Sequence, residues 1–186
     1  MRKFFAGSAL ACALLVNVLA APAAPANFAG TWALNKSKSA DLPPQWSNLE
    51  SLTLTITQDA QQLTVASDMK MAQDANAGGG GGMGGGRGRG MGAFPPSASY
   101  KLDGTETTVD ATGGRGGTST LKATWNDGGK TLGLKRVSKF NFQGNDVTVT
   151  TTEDWSLSAD GKTLTIKRTS ESPRGTQTST LVFDKK

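Results

Sequence analysis

Apolar residues alternate with threonine, serine or lysine along most of this chain. In the stretch LTLTITQ, for example, Leu52, Leu54 and Ile56 all fall on one face. Alternation with a period of two is typical of β-strands, whose successive side chains point to opposite faces. A 3.6-residue apolar stripe is missing throughout, and only residues 37–49 could hold a short helical turn. The pattern therefore predicts an all-β protein.

Turn dipeptides separate the alternating segments. Asp-Gly, Gly-Asn and Gly-Gly tolerate the positive φ angles that tight hairpins require. Consecutive hairpins with short links favour an antiparallel up-and-down meander of about ten strands, and one apolar face per strand favours closing it into a barrel or packing it as two sheets. The predicted strands are 31–35, 51–57, 61–71, 98–102, 105–111, 118–126, 130–142, 145–157, 162–170 and 175–184.

Four predicted two-residue turns determine which residues lie opposite one another, because the turn sets the register of a hairpin. These turns are Asp127-Gly128, Gly144-Asn145, Asp160-Gly161 and Pro173-Arg174. They give two inward rows that are wholly apolar, which supports the meander. The rows are Ala123, Leu132, Leu157, Leu164 and Phe183, followed by Leu121, Leu134, Trp155, Ile166 and Leu181.

The third inward row is charged. In this register Glu153 lies between Arg136 and Arg168, with Ser119 and Ser179 at the two ends of the row. One interpretation is a structural ion network near the barrel mouth. A second is an anchor for an anionic head group, because the planar guanidinium binds carboxylate or phosphate in a bidentate manner. A third is a β-bulge that turns the whole row outward.

The second interpretation defines the candidate ligand-binding set. It places the head group of a small amphipathic or anionic molecule against the arginines and its tail against the apolar rows. The residues of the set are Arg136, Glu153, Arg168, Ser119, Ser179 and Trp155.

The N-terminus has the organisation of a secretory signal peptide. Arg2 and Lys3 precede an apolar run over 4–19, and small residues follow it. We expect a signal peptide over 1–20, with cleavage possible as late as Ala26, and a single β-barrel domain over 27–186. The run is too short for a membrane span, although Cys12 leaves a lipid anchor as an alternative. The protein is therefore predicted to be exported, to the periplasm or the extracellular space.

Composition excludes several classes of chemistry. The chain has no histidine, and its single cysteine lies in the predicted leader, so thiol, Cys–His and Ser–His nucleophiles and the usual zinc sites are excluded. The carboxylates Glu106 with Asp110, or Glu153 with Asp154, are the only pairs considered for glycoside hydrolysis, and the second pair faces opposite sides of a strand. We therefore expect no catalysis and no cofactor.

Net charge and one glycine-rich segment bear on nucleic-acid binding. Without Arg2 and Lys3, 18 basic residues remain against 15 acidic ones, a bias too weak to indicate nucleic acid. Residues 78–92 contain 11 glycines in 15 positions and only two arginines, which disfavours an RNA-binding segment. We assign 74–96 as a flexible insertion, either tolerated or acting as a flap over the barrel mouth.

The opening Phe28-Ala29-Gly30-Thr31-Trp32-Ala33-Leu34 resembles the first strand of fatty-acid-binding proteins, and its G-x-W core resembles that of lipocalins. The resemblance implies a calycin-like barrel that holds an apolar ligand, with Trp32 closing one end. The spacing of the C-terminal segment 155–186 is similar as well. Two features of fatty-acid-binding proteins are missing: their R-x-Y clamp is replaced by Leu181-Val182-Phe183, and 37–49 offers no helical lid.

Two functions remain open at this point. The first is an exported, non-catalytic lipocalin-like protein that binds a small molecule inside its barrel. The second is an envelope structural or interaction protein with a solidly packed barrel, its oligomeric state left open. Interior volume separates the two, since ligand pockets usually enclose about 300–1,000 Å³.

Overall fold

Ten antiparallel strands form one sheet in the computed structural model, which describes residues 24–72, 94–110 and 117–186. The predicted signal peptide and most of the predicted insertion lie outside these ranges. Two short 3-10 helices, Pro44–Trp46 and Asp127–Gly129, accompany the strands. The strands are β1 Gly30–Leu34, β2 Leu49–Gln58, β3 Gln62–Met71, β4 Ser97–Lys101, β5 Thr107–Asp110, β6 Thr118–Asn126, β7 Thr131–Phe142, β8 Asn145–Leu157, β9 Thr163–Ser172 and β10 Gly175–Lys185.

The strand order closes the sheet almost completely on itself. It runs β4-β3-β2-β1-β10-β9-β8-β7-β6-β5. The first strand, β1, pairs with the last strand, β10, on one side and with β2 on the other. At the closure, the outermost strand β4 lies against β6, the neighbour of the other outermost strand β5. The predicted all-β antiparallel meander is therefore confirmed, as a nearly closed ten-stranded barrel.

Two of the four predicted registers are confirmed. Glu153 lies opposite Arg168 across β8 and β9, and Arg168 lies opposite Ser179 across β9 and β10. The β9–β10 turn consists of the predicted Pro173 and Arg174. The β8–β9 connection keeps the predicted register but is longer, with a turn closed by a hydrogen bond of 2.9 Å from the Gly161 amide to the Ser158 carbonyl.

The other two registers are wrong by two residues. The β7–β8 turn is formed by Gln143 and Gly144, both with positive φ (54° and 81°), instead of Gly144 and Asn145. A two-residue hairpin turn of this kind needs positive φ at both positions. The β6–β7 connection is four residues long because Asp127, Gly128 and Gly129 all adopt positive φ before Lys130. A shift of two keeps every side chain on its predicted face but moves it along the barrel by one row.

Aromatic side chains fill the end of the barrel that we call the apolar end, where the β2–β3, β6–β7 and β8–β9 turns lie. The ring of Phe28 stacks on Trp125 at 6.2 Å between centroids and meets Trp155 edge-on at 5.8 Å. Trp32 is fully buried, and its Nε1 donates a hydrogen bond of 2.9 Å to the carbonyl of Phe28. Each buried aromatic contributes about 1.5–3 kcal/mol. Trp32 thus lies where the resemblance implies a closing residue.

The opposite end, which we call the polar end, carries the β7–β8 and β9–β10 turns and the Pro44–Trp46 helix. Trp46 is only 3% exposed and packs against Phe94 at 6.3 Å between ring centroids. Trp46 is therefore part of the core and offers no exposed contact surface. An indole gains more by covering the barrel interior than by remaining in water.

The predicted insertion 74–96 extends too far at its C-terminal end. Phe94 is 4% exposed, and the Ser67 hydroxyl and amide donate hydrogen bonds to the carbonyls of Pro95 and Pro96 at 2.7 and 3.0 Å. An aromatic side chain that reaches the core stabilises its own ordering. Residues 94–96 are therefore part of the folded barrel, and 74–93 lie outside the described residues.

Candidate functional site

A buried ion pair lies inside the barrel near its polar end. Nε of Arg168 is 3.4 Å from Oε1 of Glu153, and the two side chains are 3% and 9% exposed. The second carboxylate oxygen accepts a hydrogen bond of 2.9 Å from Nε1 of Trp155. The guanidinium carbon of Arg168 lies 4.6 Å from the centroid of the Phe94 ring. An aromatic residue therefore covers the pair on its polar-end side.

Burial acts on the protonation of Arg168. Loss of hydration lowers the pKa of Arg168, while the negative charge of Glu153 acts in the opposite direction. Arginine titrates so far above neutrality that its guanidinium remains charged. The pair is therefore a true ion pair in a poorly hydrated interior, where the attraction between its members is stronger than in water.

Tyr100 faces this pair from β4. Burial raises the pKa of its phenol, and the charge of Glu153 raises it further, whereas Arg136 and Arg168 lower it. The phenol is thus neutral at ordinary pH and keeps its proton for hydrogen bonding.

Arg136 does not lie directly opposite Glu153, contrary to the predicted row. It is opposite Thr151, while Glu153 faces Leu134 across β7 and β8. The reason is the two-residue shift of the β7–β8 register. Arg136 is half-buried and remains close enough for its charge to lower the pKa of Arg168.

The remaining predicted residues separate into two groups. Ser179 lies opposite Arg168 on β10, and Trp155 bonds to Glu153, so both belong to the site. Ser119 lies elsewhere: it is opposite Ser138 and exchanges a side-chain hydrogen bond of 2.9 Å with it. The structure thus brings Glu153, Arg168, Ser179 and Trp155 together, places Arg136 beside them and leaves Ser119 apart. Because these side chains face inward, the bulge interpretation is wrong.

One cavity adjoins the pair and a second lies near it. One is a void of about 10 Å³ bordered by Tyr100, Arg136, Thr151 and Glu153, which has room for about one water molecule. The hydroxyl of Thr151 is buried and, within the described part of the chain, has no hydrogen-bond partner.

The second cavity is a cleft of about 300 Å³ at the polar end. Ser170 borders it, and Ser170 is the cross-strand partner of Thr151. One residue pair therefore separates the cleft from the void. The side chains that line the cleft include Gln45, Val149, Ser170, Ser172, Arg174 and Gln177.

Sequence reasoning missed Phe94, Tyr100 and the cleft. The signal for Tyr100 was present, because Ala98, Tyr100 and Leu102 alternate as inward residues do. Phe94 was assigned to the glycine-rich insertion, although an aromatic residue followed by Pro95-Pro96 marks the end of such a segment. The cleft had no sequence signal, since Gln45 and Ser172 are distant along the chain.

Glu153 and Asp154, the second carboxylate pair considered for catalysis, do not share a site. Glu153 is buried inside the barrel, and Asp154 is exposed on its outer face. Glu106 is on the outer surface, with its Oε1 3.6 Å from Nζ of Lys122.

Comparisons with known proteins leave the function open. No protein-family model and no curated protein matches the chain. Among solved structures, zebrafish ileal bile acid-binding protein in complex with cholic acid is similar, with a TM-score of 0.46 and 12% identity, over 86% of this chain and 98% of that chain. A likeness of this size does not bear on the ligand. The antiparallel barrel that the resemblance of Phe28–Leu34 implies is confirmed by the strand order of the chain itself.

The absence of the fatty-acid-binding R-x-Y clamp is visible in three dimensions. Leu181 and Phe183 are fully buried in the apolar core and offer no polar group. The only helices in the described ranges are the two 3-10 turns, and none of them could span a membrane.

Proposed function

We propose that this protein is an exported, non-catalytic barrel that binds a small amphipathic or anionic molecule at the polar end of its interior. The observation that carries the proposal is the buried Arg168–Glu153 pair, which lies one inward residue along β9 from Ser170, at the border of a cleft of about 300 Å³. That volume is at the lower limit of usual ligand pockets.

Charge supports an anionic ligand. Arg136, Glu153 and Arg168 together carry a formal charge of +1, and a guanidinium binds carboxylate or phosphate through a pair of parallel hydrogen bonds. Burial strengthens such contacts, because water does not compete for them. Apolar side chains on the opposite side of the pair, such as Leu132 and Ile166, provide the contrast that an amphipathic ligand would use.

Export and the absence of catalysis rest on the sequence. The predicted leader over 1–20 supports export. The lack of histidine, together with the opposite orientations of Glu153 and Asp154, supports binding without chemistry.

A second function is favoured by one observation. The void beside Arg136 and Glu153 measures only about 10 Å³, and the Phe94 ring covers Arg168. A ligand that touches Arg168 must therefore displace Phe94. An envelope structural or interaction protein with a packed barrel would have this geometry without any small-molecule ligand.

Native mass spectrometry of protein purified from its own host tests the proposal. We expect a co-purifying small molecule in the wild type, and its loss in the double variant Glu153→Gln/Arg168→Met, which removes both charges without leaving one of them buried alone. Lys135→Met is the matched control, because Lys135 is next to Arg136 on β7 but exposed on the outer face.

Titration of decanoate, an amphipathic anion, gives a second readout by calorimetry. Binding that is retained in the control and lost in the double variant supports the proposal. A wild type with no co-purifying molecule and no binding of decanoate or of a smaller anion would instead favour the packed-barrel alternative.

A further inference from the structure

We propose that the cleft at the polar end is a head-group site for a small organic anion that carries hydroxyl groups, such as a sugar acid. The inference rests on the proposed function and makes it more specific in place and in ligand class. Its basis is the chemistry of the side chains that line the cleft, which differs from that of the buried ion pair.

Hydroxyl and amide side chains form much of the lining of the cleft. Ser170 and Ser172 follow Arg168 as the next inward residues of β9, and Gln177 lies opposite Ser170 on β10. Gln45, at the centre of the Pro44–Trp46 helix, borders the cleft as well. Serine hydroxyls and glutamine amides both donate and accept hydrogen bonds. They therefore complement a ligand with several hydroxyl groups, each of which also donates and accepts.

Charge at the cleft is positive. Arg174 lies in the β9–β10 turn, exposed at the rim. The Ser172 hydroxyl accepts a hydrogen bond of 3.2 Å from the Arg174 amide and donates one of 3.3 Å to the Gly175 carbonyl, which stabilises the turn that presents Arg174. No aspartate or glutamate is among the described residues that line the cleft. The site therefore favours a carboxylate over a neutral or cationic group.

Size limits the ligand to a short one. The cleft encloses about 300 Å³, and the barrel beyond Arg168 is closed by buried side chains such as Leu134 and Trp155. A long acyl chain would have to displace this core, whereas a molecule of monosaccharide size would not. Val149 provides an apolar wall against which the carbon skeleton of such a ligand can pack.

Calorimetric titration with three probes tests the inference. Gluconate carries both the carboxylate and the hydroxyl groups, sorbitol carries the hydroxyl groups alone, and decanoate carries the carboxylate on an acyl chain. We expect gluconate to bind with a dissociation constant below about 1 mM and sorbitol to bind at least about tenfold more weakly, because it lacks the charge that Arg174 recognises.

Variants then locate the site. Arg174→Gln and Gln177→Ala should each weaken gluconate binding about fivefold or more, because both side chains border the cleft, whereas Lys167→Gln on the outer face of β9 should leave it unchanged. Arg174 is exposed in a turn, so its variant is expected to fold, and circular dichroism checks this. Gluconate binding that is absent in the wild type, or equal in all three variants, overturns the inference.

The probes also separate failure of this inference from failure of the proposed function. Decanoate binding that is lost in Glu153→Gln/Arg168→Met, without gluconate binding, would overturn the cleft assignment and leave the proposed function standing. No binding of either anion would overturn both.

Discussion

Glu153 is the residue on which the interior of this barrel depends most. It contacts Arg168 at 3.4 Å and Trp155 at 2.9 Å, and its charge reaches Tyr100 on the far side of the barrel. A buried carboxylate with these partners is costly to remove, because the positive charge that remains has no water to stabilise it. Two predictions follow from this arrangement.

Glu153→Gln should lower the free energy of unfolding by about 3–5 kcal/mol, because it leaves the buried guanidinium of Arg168 without its counter-charge. Glutamine keeps the size of the side chain and can still accept the Trp155 hydrogen bond. The decrease in the free energy of unfolding therefore measures the effect of removing the negative charge. Urea denaturation measures it. Glu106→Gln, at an exposed ion pair, is the control and should change stability by less than about 0.5 kcal/mol. A loss below about 1 kcal/mol for Glu153→Gln would mean that the pair is hydrated.

Tyr100 should make the protein less stable in alkali. Its folded pKa is raised above the ordinary value of about 10. The unfolded chain therefore loses this proton first, and the stabilisation is complete below about pH 10 and is lost as the pH rises above it. Urea midpoints at pH 8 and pH 11 should fall further apart in the wild type than in Tyr100→Phe.

The absorbance of tyrosinate measures the ionisation of Tyr100 directly, because Tyr100 is the only tyrosine in the chain. Ionisation should appear together with unfolding. A simple titration of the folded protein near pH 10 would contradict the assignment.

At the scale of elements, hydrophobic alternation identified the strands well. Each of the ten predicted strands overlaps an observed one, and several boundaries differ by a single residue. Alternation works here because one face of every strand meets the core and the other meets water. It is insensitive to a register shift of two, since such a shift preserves the face, and the two register errors were of this kind.

Gln143 offers a test of the β7–β8 turn. Gln143→Asn should stabilise the protein by about 0.5–1 kcal/mol, because asparagine tolerates positive φ better than glutamine and Asn-Gly is the preferred pair for this turn. Gln143→Val should destabilise it by at least a similar amount, as a β-branched residue is strained at positive φ. Thermal and urea denaturation measure both. Equal stability of the two variants would mean that Gln143 is not a turn residue at positive φ.

At the scale of the whole molecule, the barrel has two chemically different ends. Phe28, Trp32 and Trp155 close one end with aromatic packing, while Ser170, Gln177 and Arg174 surround the cleft at the other. The same inward faces of β8, β9 and β10 contribute to both ends, so the change from apolar to polar occurs along each strand. A ligand that enters from the polar end would meet the Arg168–Glu153 pair as the boundary of the packed core.

The amino-acid sequence by itself determined the fold class, the strands, the inward face of each strand and the pairing of Glu153 with Arg168. These depend on local alternation and on turns, which act over a few residues. Tertiary structure alone decided that Arg136 faces Thr151, that Phe94 and Tyr100 come to the ion pair, and that Gln45 shares a cleft with Ser172. The physical reason is that such contacts depend on hairpin register and on how the barrel closes, and both are selected by packing between residues far apart in the chain.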